Sequence, residues 1–163
     1  MFENMADILK QISLGEDSVL ELKTVEFSGE KITGPHRNSM ADELAAMANT
    51  HTGVVLLGVD DKSKTILGIP KDYLDVVEAW LREIRNDLIE PPLDCVIRRT
   101  PMTTEDGGEK IIIRVDVPRS LKSVRASKSM RLFSPHWQLE TADEAGSAGP
   151  AVSATQPSSP DTF

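Results

Sequence analysis

The sequence is poor in cysteine, in aromatic side chains and in long apolar segments. A single cysteine, Cys95, excludes an intramolecular disulfide and a zinc site built on several thiolates. Aromatic residues make up only 4% of the chain, so we expect a core of Val, Ile, Leu and Met. No apolar run approaches the ~18 residues of a membrane span, and Glu3 and Asp7 precede the first lysine, unlike in a secretory leader. These absences predict a soluble, cytoplasmic protein of a reducing compartment with no membrane partner.

Sequence signatures of nucleotide-binding and hydrolytic enzymes are also missing. The chain contains no G-x-G-x-x-G, Walker A or G-x-S-x-G pattern. Its three histidines, His36, His51 and His136, have no metal-ligand spacing, and we expect them to be solvated rather than ligating. Cys95 falls on the apolar side of a strand pattern, which predicts a small buried hydrophobic residue and not a nucleophile.

Positive charge is scarce and unevenly placed. The net charge of −8 argues against a basic surface over the whole protein. A run of five cations with no acid among them nevertheless falls near the end of the apolar-rich part of the chain: Arg119, Lys122, Arg125, Lys128 and Arg131. Such a run is typical of a phosphate-contacting surface, or of a solvated edge strand whose cations block aggregation.

Composition changes abruptly near residue 134. Of the 30 residues from 134 to 163, 19 are Ser, Thr, Ala, Gly or Pro, four are acidic and none is Lys or Arg. Such a segment buries too little apolar surface to offset the entropy lost on ordering. We therefore expect a folded domain over residues 1–133 and a disordered, acidic Ser/Ala/Pro-rich tail over residues 134–163.

The hydrophobic pattern of residues 1–133 predicts an α+β fold. Helical spacing occurs before Gly15, over about residues 37–50, and between Pro70 and Pro91. Residues 24–36 are predicted to be a loop. Strand patterns cover five segments and one candidate basic edge strand: 18–23, 54–59, 65–69, 93–100, 110–117 and 124–133. We expect a mixed, mostly antiparallel sheet packed by two to three helices.

Four acidic residues flank or lie within two of these strand patterns. Glu16 precedes the first strand and Glu21 lies within it, whereas Asp60 and Asp61 follow the apolar strand. If the two strands are neighbours, the carboxylates converge at one end and suit a hard cation such as Mg²⁺ or Mn²⁺. Lys23 shares a strand face with Glu21 and completes an E-x-K pair of the kind that some metal nucleases use. Spacing alone favours the simpler interpretation, a solvated strand face and a hairpin turn.

Four segments carry motifs that occur together, in this order and at similar spacing, in one protein family. Residues 16–23 read E-D-S-V-L-E-L-K, and residues 46–61 read A-M-A-N-T-H-T-G-V-V-L-L-G-V-D-D. They resemble the opening E-s-x-x-x-E-F-K and the core A-x-A-N-t-x-G-G-x-l-l-i-G-V-x-D of the Schlafen AlbA-2 domain. Residues 65–69 and 89–92 resemble its i-x-G and I-x-P segments. The resemblance covers about residues 10–118.

The sequence departs from the family pattern at three places. Leu22 replaces the usual Phe, which is a conservative change. The segment His51-Thr52-Gly53 has one glycine where two are common. Beyond Pro118 the usual R-x-G-s ending is not recognisable, so we expect a diverged or truncated C-terminal part of the domain.

The resemblance implies a DNA- or RNA-binding module with a regulatory role, and this is the leading functional hypothesis. The expected contact surface is the basic run of residues 119–131 together with Arg98, Arg99 and Arg114. A non-enzymatic protein-interaction or self-assembly domain is an alternative. Because animal Schlafen cores pair two similar lobes, the resemblance also implies a homodimer.

A second alternative is a metal-dependent endoribonuclease. In animal Schlafen proteins, similar domains cut structured RNA with a three-carboxylate site. Glu16, Glu21 and Asp60 occupy the matching positions here, with Asp61 as a near alternative and Lys23 as a neighbouring positive charge. Mg²⁺ or Mn²⁺ is the cofactor that this alternative requires, and the resemblance leaves open whether the chain is an enzyme.

Overall fold

The architecture follows from a computed structural model that describes residues 5–14 and 19–127 of the chain. The predicted α+β fold is confirmed, since a four-stranded sheet is packed by three helices: α1 (Met5–Leu14), α2 (Arg37–Thr50) and α3 (Leu74–Asp87). None of the helices within these ranges has the length and apolarity needed to cross a membrane. The predicted tail, residues 134–163, lies outside the described residues.

The central sheet has the strand order β1-β4-β7-β6. The four strands are β1 (Leu20–Lys23), β4 (Gly53–Leu57), β6 (Val96–Thr103) and β7 (Glu109–Val117). β1 and β4 run parallel, with Glu21 beside Val55 and Lys23 beside Leu57, and the other neighbours are antiparallel. The connection from β1 to β4 contains α2, as a parallel crossover requires. The strand that carries Glu21 therefore lies next to the apolar strand, which is the arrangement that carboxylate convergence requires.

All five residues of β4 are buried, because helices cover the sheet on both faces. On one face α2 and α3 pack against a cluster that includes Val55 and Leu57. On the other face Ile8 and Ile12 of α1 cover a second cluster: Leu20, Leu22, Val54, Leu56, Val59, Met102 and Ile112. Among the described residues no aromatic side chain is buried, which agrees with the predicted aliphatic core.

The predicted loop over residues 24–36 was wrong. It contains a hairpin of two short antiparallel strands, β2 (Glu26–Ser28) and β3 (Lys31–Gly34). Phe27 of this hairpin stacks on Tyr73 with ring centroids 4.4 Å apart. The local pattern did not reveal the hairpin, because its packing partner is more than forty residues away in the chain.

The predicted return strand at residues 65–69 is reduced to one bridge between Val59 and Ile66. The chain turns instead at two glycines with positive φ, Gly58 at 103° and Gly68 at 74°. The backbone N–H groups of Leu67 and Gly68 both donate to the Gly58 carbonyl, at 2.8 and 2.9 Å. These bonds replace the ladder that an ordinary hairpin would form.

The candidate edge strand at residues 124–133 also differs from the prediction. Its described part forms a two-residue strand, β8 (Arg125–Ala126), which pairs with β5 (Ile89–Glu90) and not with the main sheet. We call residues 118–127, which follow β7, the C-terminal strap.

Candidate functional site

Glu21 and Lys23 lie on the face of the sheet that packs against α2, because the register places them beside Val55 and Leu57. The Lys23 ammonium is 2.8 and 3.0 Å from the two carboxylate oxygens of Glu43 on α2. It is 3.8 Å from Glu21 Oε2. The Lys23 side chain is only 22% exposed, so its charge is partly shielded from water. Glu21, Lys23 and Glu43 therefore form one charged cluster.

Glu43 is a member of this cluster that the motif analysis missed. A periodicity signal was present, since Glu43 lies three residues after the buried Met40 and four before the buried Met47. Residues at these spacings share a helix face. A charged residue on a core-facing stripe indicates a buried or half-buried partner, and here that partner is Lys23.

The two aspartates after β4 differ in their contacts. Asp60 Oδ2 accepts hydrogen bonds from the Ser63 backbone N–H at 2.7 Å and from the Ser63 hydroxyl at 2.6 Å. These two bonds hold the pKa of Asp60 below its ordinary value. The Asp61 side chain is exposed and makes no hydrogen bond or ion pair with any described residue. Asp60 therefore shapes the turn, whereas the Asp61 carboxylate faces solvent.

The turn after Asp60 and the Glu21 cluster lie near opposite faces of the sheet. Residues 63–66 line a hollow of about 530 Å³ together with Leu9 and Ile12 of α1. Glu21 and Lys23 face α2 instead. Among the described residues, no group of three His, Cys, Asp or Glu side chains is placed to hold a metal ion. Glu16, the fourth predicted carboxylate, lies outside the described residues.

His36, His51 and Cys95 were not expected to be ligands or a nucleophile, and each has a structural role. His36 caps the start of α2, where its Nδ1 accepts from the Asn38 backbone N–H at 3.3 Å. His51 caps the end of the same helix, and His136 lies outside the described residues. Cys95 is buried as predicted, and burial raises the pKa of its thiol.

The three predicted arginines of the sheet do not lie on one surface. Arg98 and Arg114 are direct partners in the β6–β7 register, and both contact Asp116. Arg99 is on the opposite face, where its guanidinium pairs with Glu78 and Asp75 of α3. These two carboxylates raise the pKa of Arg99 and neutralise its charge locally. Arg99 is therefore poorly placed to join Arg98 and Arg114 in binding phosphate.

The C-terminal strap is fastened to the end of α2 by hydrogen bonds. The Asn49 amide donates to the Val124 carbonyl at 2.7 Å and accepts from the Val124 N–H at 2.8 Å. The Ser120 N–H donates to the Ala48 carbonyl at 2.8 Å. Val124 itself is buried, so the strap is part of the packed domain. In the sequence, Asn49 was recognised only as part of the family motif, and this structural role was missed.

The described cations of the strap are exposed. Arg119 and Lys122 form no ion pair with any residue of the described part of the chain. Arg125 lies 3.6 Å from Glu90, and both side chains are more than half exposed, so this pair is weak. Lys128 and Arg131, the other two members of the basic run, lie outside the described residues.

The motif matches extend over most of the chain, and a comparison with known families agrees with them. The family described as Schlafen, AlbA_2 matches residues 16–135 of the 163-residue chain. The chain belongs to the Schlafen AlbA_2 family. The match passes Pro118, where no family ending was recognised, and it includes the whole C-terminal strap. The expectation of a truncated C-terminal part is therefore wrong, because the AlbA_2 match includes the strap.

Several residues of the AlbA_2 motif have a structural role. A Cβ on Gly53 would come within 2.2 Å of Met47 Sδ, so any larger residue would force the buried Met47 side chain to move. Asn49 holds the strap, and Gly58 forms the turn toward Gly68. In the pattern G-V-x-D, Gly58 and Val59 align the final aspartate with Asp61. Asp61, the near alternative to Asp60, is the more exposed of the two aspartates, and which of them belongs to a carboxylate site stays a prediction.

Proposed function

We propose that this AlbA_2 domain is a nucleic-acid-binding module whose main contact surface is the C-terminal strap. The observation that carries the proposal is the pair Arg119 and Lys122, which are exposed and have no acidic partner among the described residues. No acid occurs in residues 118–124. Cations on an ordered segment contact phosphates without first giving up an ion pair or ordering a loop, so they suit a nucleic-acid backbone.

Arg98 and Arg114 have a smaller part in this proposal. Both share one carboxylate, Asp116, and the Arg114 side chain is only 12% exposed. Arg98, with a 60% exposed side chain, is the member of the pair that can reach a phosphate. We assign Arg99 no contact, because its guanidinium is held by Glu78 and Asp75.

The proposal is tested by gel retention of an RNA hairpin and of a DNA duplex. Reversal of the two strap charges that have no acidic partner among the described residues, Arg119→Glu with Lys122→Glu, is expected to remove most of the retention seen with the wild type. Lys71→Glu is the matched control, because Lys71 is an exposed cation outside the strap. Equal retention of the wild type and the double variant would show that the strap is not the contact surface.

The second candidate is a divalent-metal-dependent endoribonuclease, favoured by the half-buried pair of Glu21 and Lys23 at the family's E-x-K position. The described carboxylates alone do not fit a metal ion, because the Lys23 ammonium already compensates Glu21 and Glu43. The proposed site for Mg²⁺ or Mn²⁺ therefore needs Glu16 together with Glu21 and either Asp60 or Asp61.

The nuclease candidate is tested by incubating structured RNA with the protein, with and without Mn²⁺, and by calorimetric titration of Mn²⁺. Glu21→Gln is expected to abolish cleavage and weaken Mn²⁺ binding while leaving RNA retention intact. Unchanged Mn²⁺ affinity and unchanged cleavage in this variant would show that the carboxylates bind no metal ion and are a solvated strand face.

The remaining family-based expectations are also proposals. We propose that two copies of the domain form a symmetric dimer, by analogy with the paired lobes of animal Schlafen cores. The alternative is a self-assembly domain that forms the same dimer and does not bind nucleic acid. A cytoplasmic location stays a prediction from the sequence.

A further inference from the structure

Leu121 is the most exposed of the large apolar side chains in the described part of the chain. The residue is fully exposed, whereas the next, Leu14, is 70% exposed. Scattered exposed leucines are normal in soluble proteins and by themselves indicate nothing. Leu121 differs in its neighbours, because it lies between Arg119 and Lys122, the two strap cations that have no acidic partner among the described residues.

The backbone on both sides of Leu121 is held in place by hydrogen bonds. The Ser120 hydroxyl donates to the Lys122 carbonyl at 2.7 Å and accepts from the Lys122 N–H at 3.2 Å, so it spans Leu121. The Ser120 N–H is bonded to Ala48 of α2, and Val124 is held by Asn49. The leucine thus projects into solvent from a tip whose backbone is held on both sides.

We propose that Leu121 is a wedge that inserts between stacked bases of a double-helical nucleic acid while Arg119 and Lys122 contact the flanking phosphates. The inference rests on the proposed nucleic-acid-binding function and specifies how that surface engages its partner. Apolar side chains on braced, cationic elements enter the minor groove and partly unstack a base step, which costs a few kcal/mol. A pre-ordered tip loses little conformational entropy on insertion, so more of the contact energy offsets that cost.

Charge and size favour a nucleic acid over a lipid surface as the partner. Residues 118–124 present two cations and one large apolar side chain, Leu121, because Val124 is buried. Even a single myristoyl chain gives only marginal membrane binding, and one leucine buries far fewer methylene groups. A polyanion with regularly spaced phosphates and a stacked apolar interior matches both features of the tip.

The test uses the full chain with a DNA duplex and an RNA hairpin that each carry 2-aminopurine in a base-paired step. Wild-type protein is expected to raise the 2-aminopurine fluorescence, because insertion unstacks the probe. Leu121→Ala is expected to abolish this rise and to weaken binding by about tenfold, the loss expected when most of one buried leucine side chain is removed. Leu121→Phe should restore both, and Leu67→Ala, at another exposed leucine, should behave as the wild type.

The salt dependence of binding distinguishes the contribution of Leu121 from that of the strap cations. Leu121→Ala removes no cation, so the slope of log affinity against log salt should stay as in the wild type. If Leu121→Ala matches the wild type in affinity and fluorescence while the Arg119/Lys122 double charge reversal weakens binding, the wedge is wrong and nucleic-acid binding stands. If no probe binds, or if the protein binds only phosphatidylserine vesicles, both the wedge and the proposed function are wrong.

Discussion

At the scale of single residues, the family motif contains two kinds of residue, charged and structural. Glu21 and Lys23 present charged groups in a half-buried setting, where they interact with each other and with α2. Asn49 and Gly53 have structural roles, since Asn49 fastens the C-terminal strap to α2 and Gly53 leaves room for Met47. The sequence alone does not distinguish the charged residues of the motif from the structural ones, because both are polar or small residues at the motif's spacing.

The first residue-scale prediction concerns Asn49. Asn49→Ala leaves the N–H and the carbonyl of the buried Val124 without partners, so we expect the free energy of unfolding to fall by about 1–3 kcal/mol. Urea denaturation followed by circular dichroism measures the change. Asn38→Ala, at an asparagine that makes no side-chain hydrogen bond within the described residues, is the control. A drop no larger than that of the control would contradict the strap anchor.

A second residue-scale prediction concerns the titration of Asp60. Its pKa is lowered in the folded protein, so this group stabilises the fold above the unfolded pKa near 3.8. That contribution is lost as the pH falls through the lower folded pKa. Carboxyl NMR titration should place Asp60 below 3.8, and Ser63→Ala should move it back up, because the Ser63 hydroxyl is the main cause. A midpoint unmoved by Ser63→Ala would contradict the observed turn.

At the scale of elements, α2 connects the charged cluster with the C-terminal strap. Glu43 in its middle holds Lys23, while Ala48 and Asn49 near its end hold the C-terminal strap. A shift of this helix would therefore move both the charged cluster and the strap. This coupling is a consequence of packing and not of any motif.

The element-scale prediction concerns the link between α2 and β1. Glu43→Gln removes the charge that faces the half-buried Lys23, so we expect a loss of about 1 kcal/mol, the net value of a hydrogen bond between partly exposed groups. Thermal and urea unfolding measure the loss. Glu83→Gln, at the more exposed ion pair with Arg37, should change stability by less than half as much. Equal effects of the two variants would show that the cluster adds nothing to helix packing.

Helices and strands with a clear hydrophobic pattern were predictable from the sequence. Elements that depend on contacts with distant residues were not. α3 and β4 were predicted because Val77, Leu81 and Ile84 follow a helical period and because β4 is continuously apolar. The β2–β3 hairpin was missed because Phe27 gains its partner, Tyr73, only in the folded chain. The adjacency of β1 and β4 entered only as a condition of the carboxylate hypothesis, and the strand register meets that condition. The contact between Lys23 and Glu43 and the separation of Arg99 from Arg98 depend on register and helix packing.

At the scale of the whole molecule, the chemistry is distributed over both faces of the sheet. The Glu21–Lys23–Glu43 cluster faces α2, the Asp60 turn borders the α1 face, and the strap crosses the end of α2. One copy of the domain therefore presents a basic strap and a carboxylate cluster at different places. Pairing of two copies would bring four such features together around one axis.

Dimer formation is the first prediction at this scale. Multi-angle light scattering is expected to give a mass near twice the 17.9 kDa of the chain at high micromolar concentration. The mass should fall toward the monomer value on dilution if the contact is weak. A mass that stays at the monomer value at the highest concentration reached would contradict the proposed dimer.

The most direct measurement of the central claim is the salt dependence of binding to an RNA hairpin and a DNA duplex. The account predicts that log affinity falls linearly with log salt for the wild type, because strap cations displace counterions from phosphates. Replacing Arg119 and Lys122 together with alanine should reduce the slope by about two, since each cation that is removed neutralises one phosphate, whereas Lys71→Ala should leave the slope unchanged. A slope that is the same in the double variant as in the wild type, or binding independent of salt, would contradict the C-terminal strap as the nucleic-acid surface.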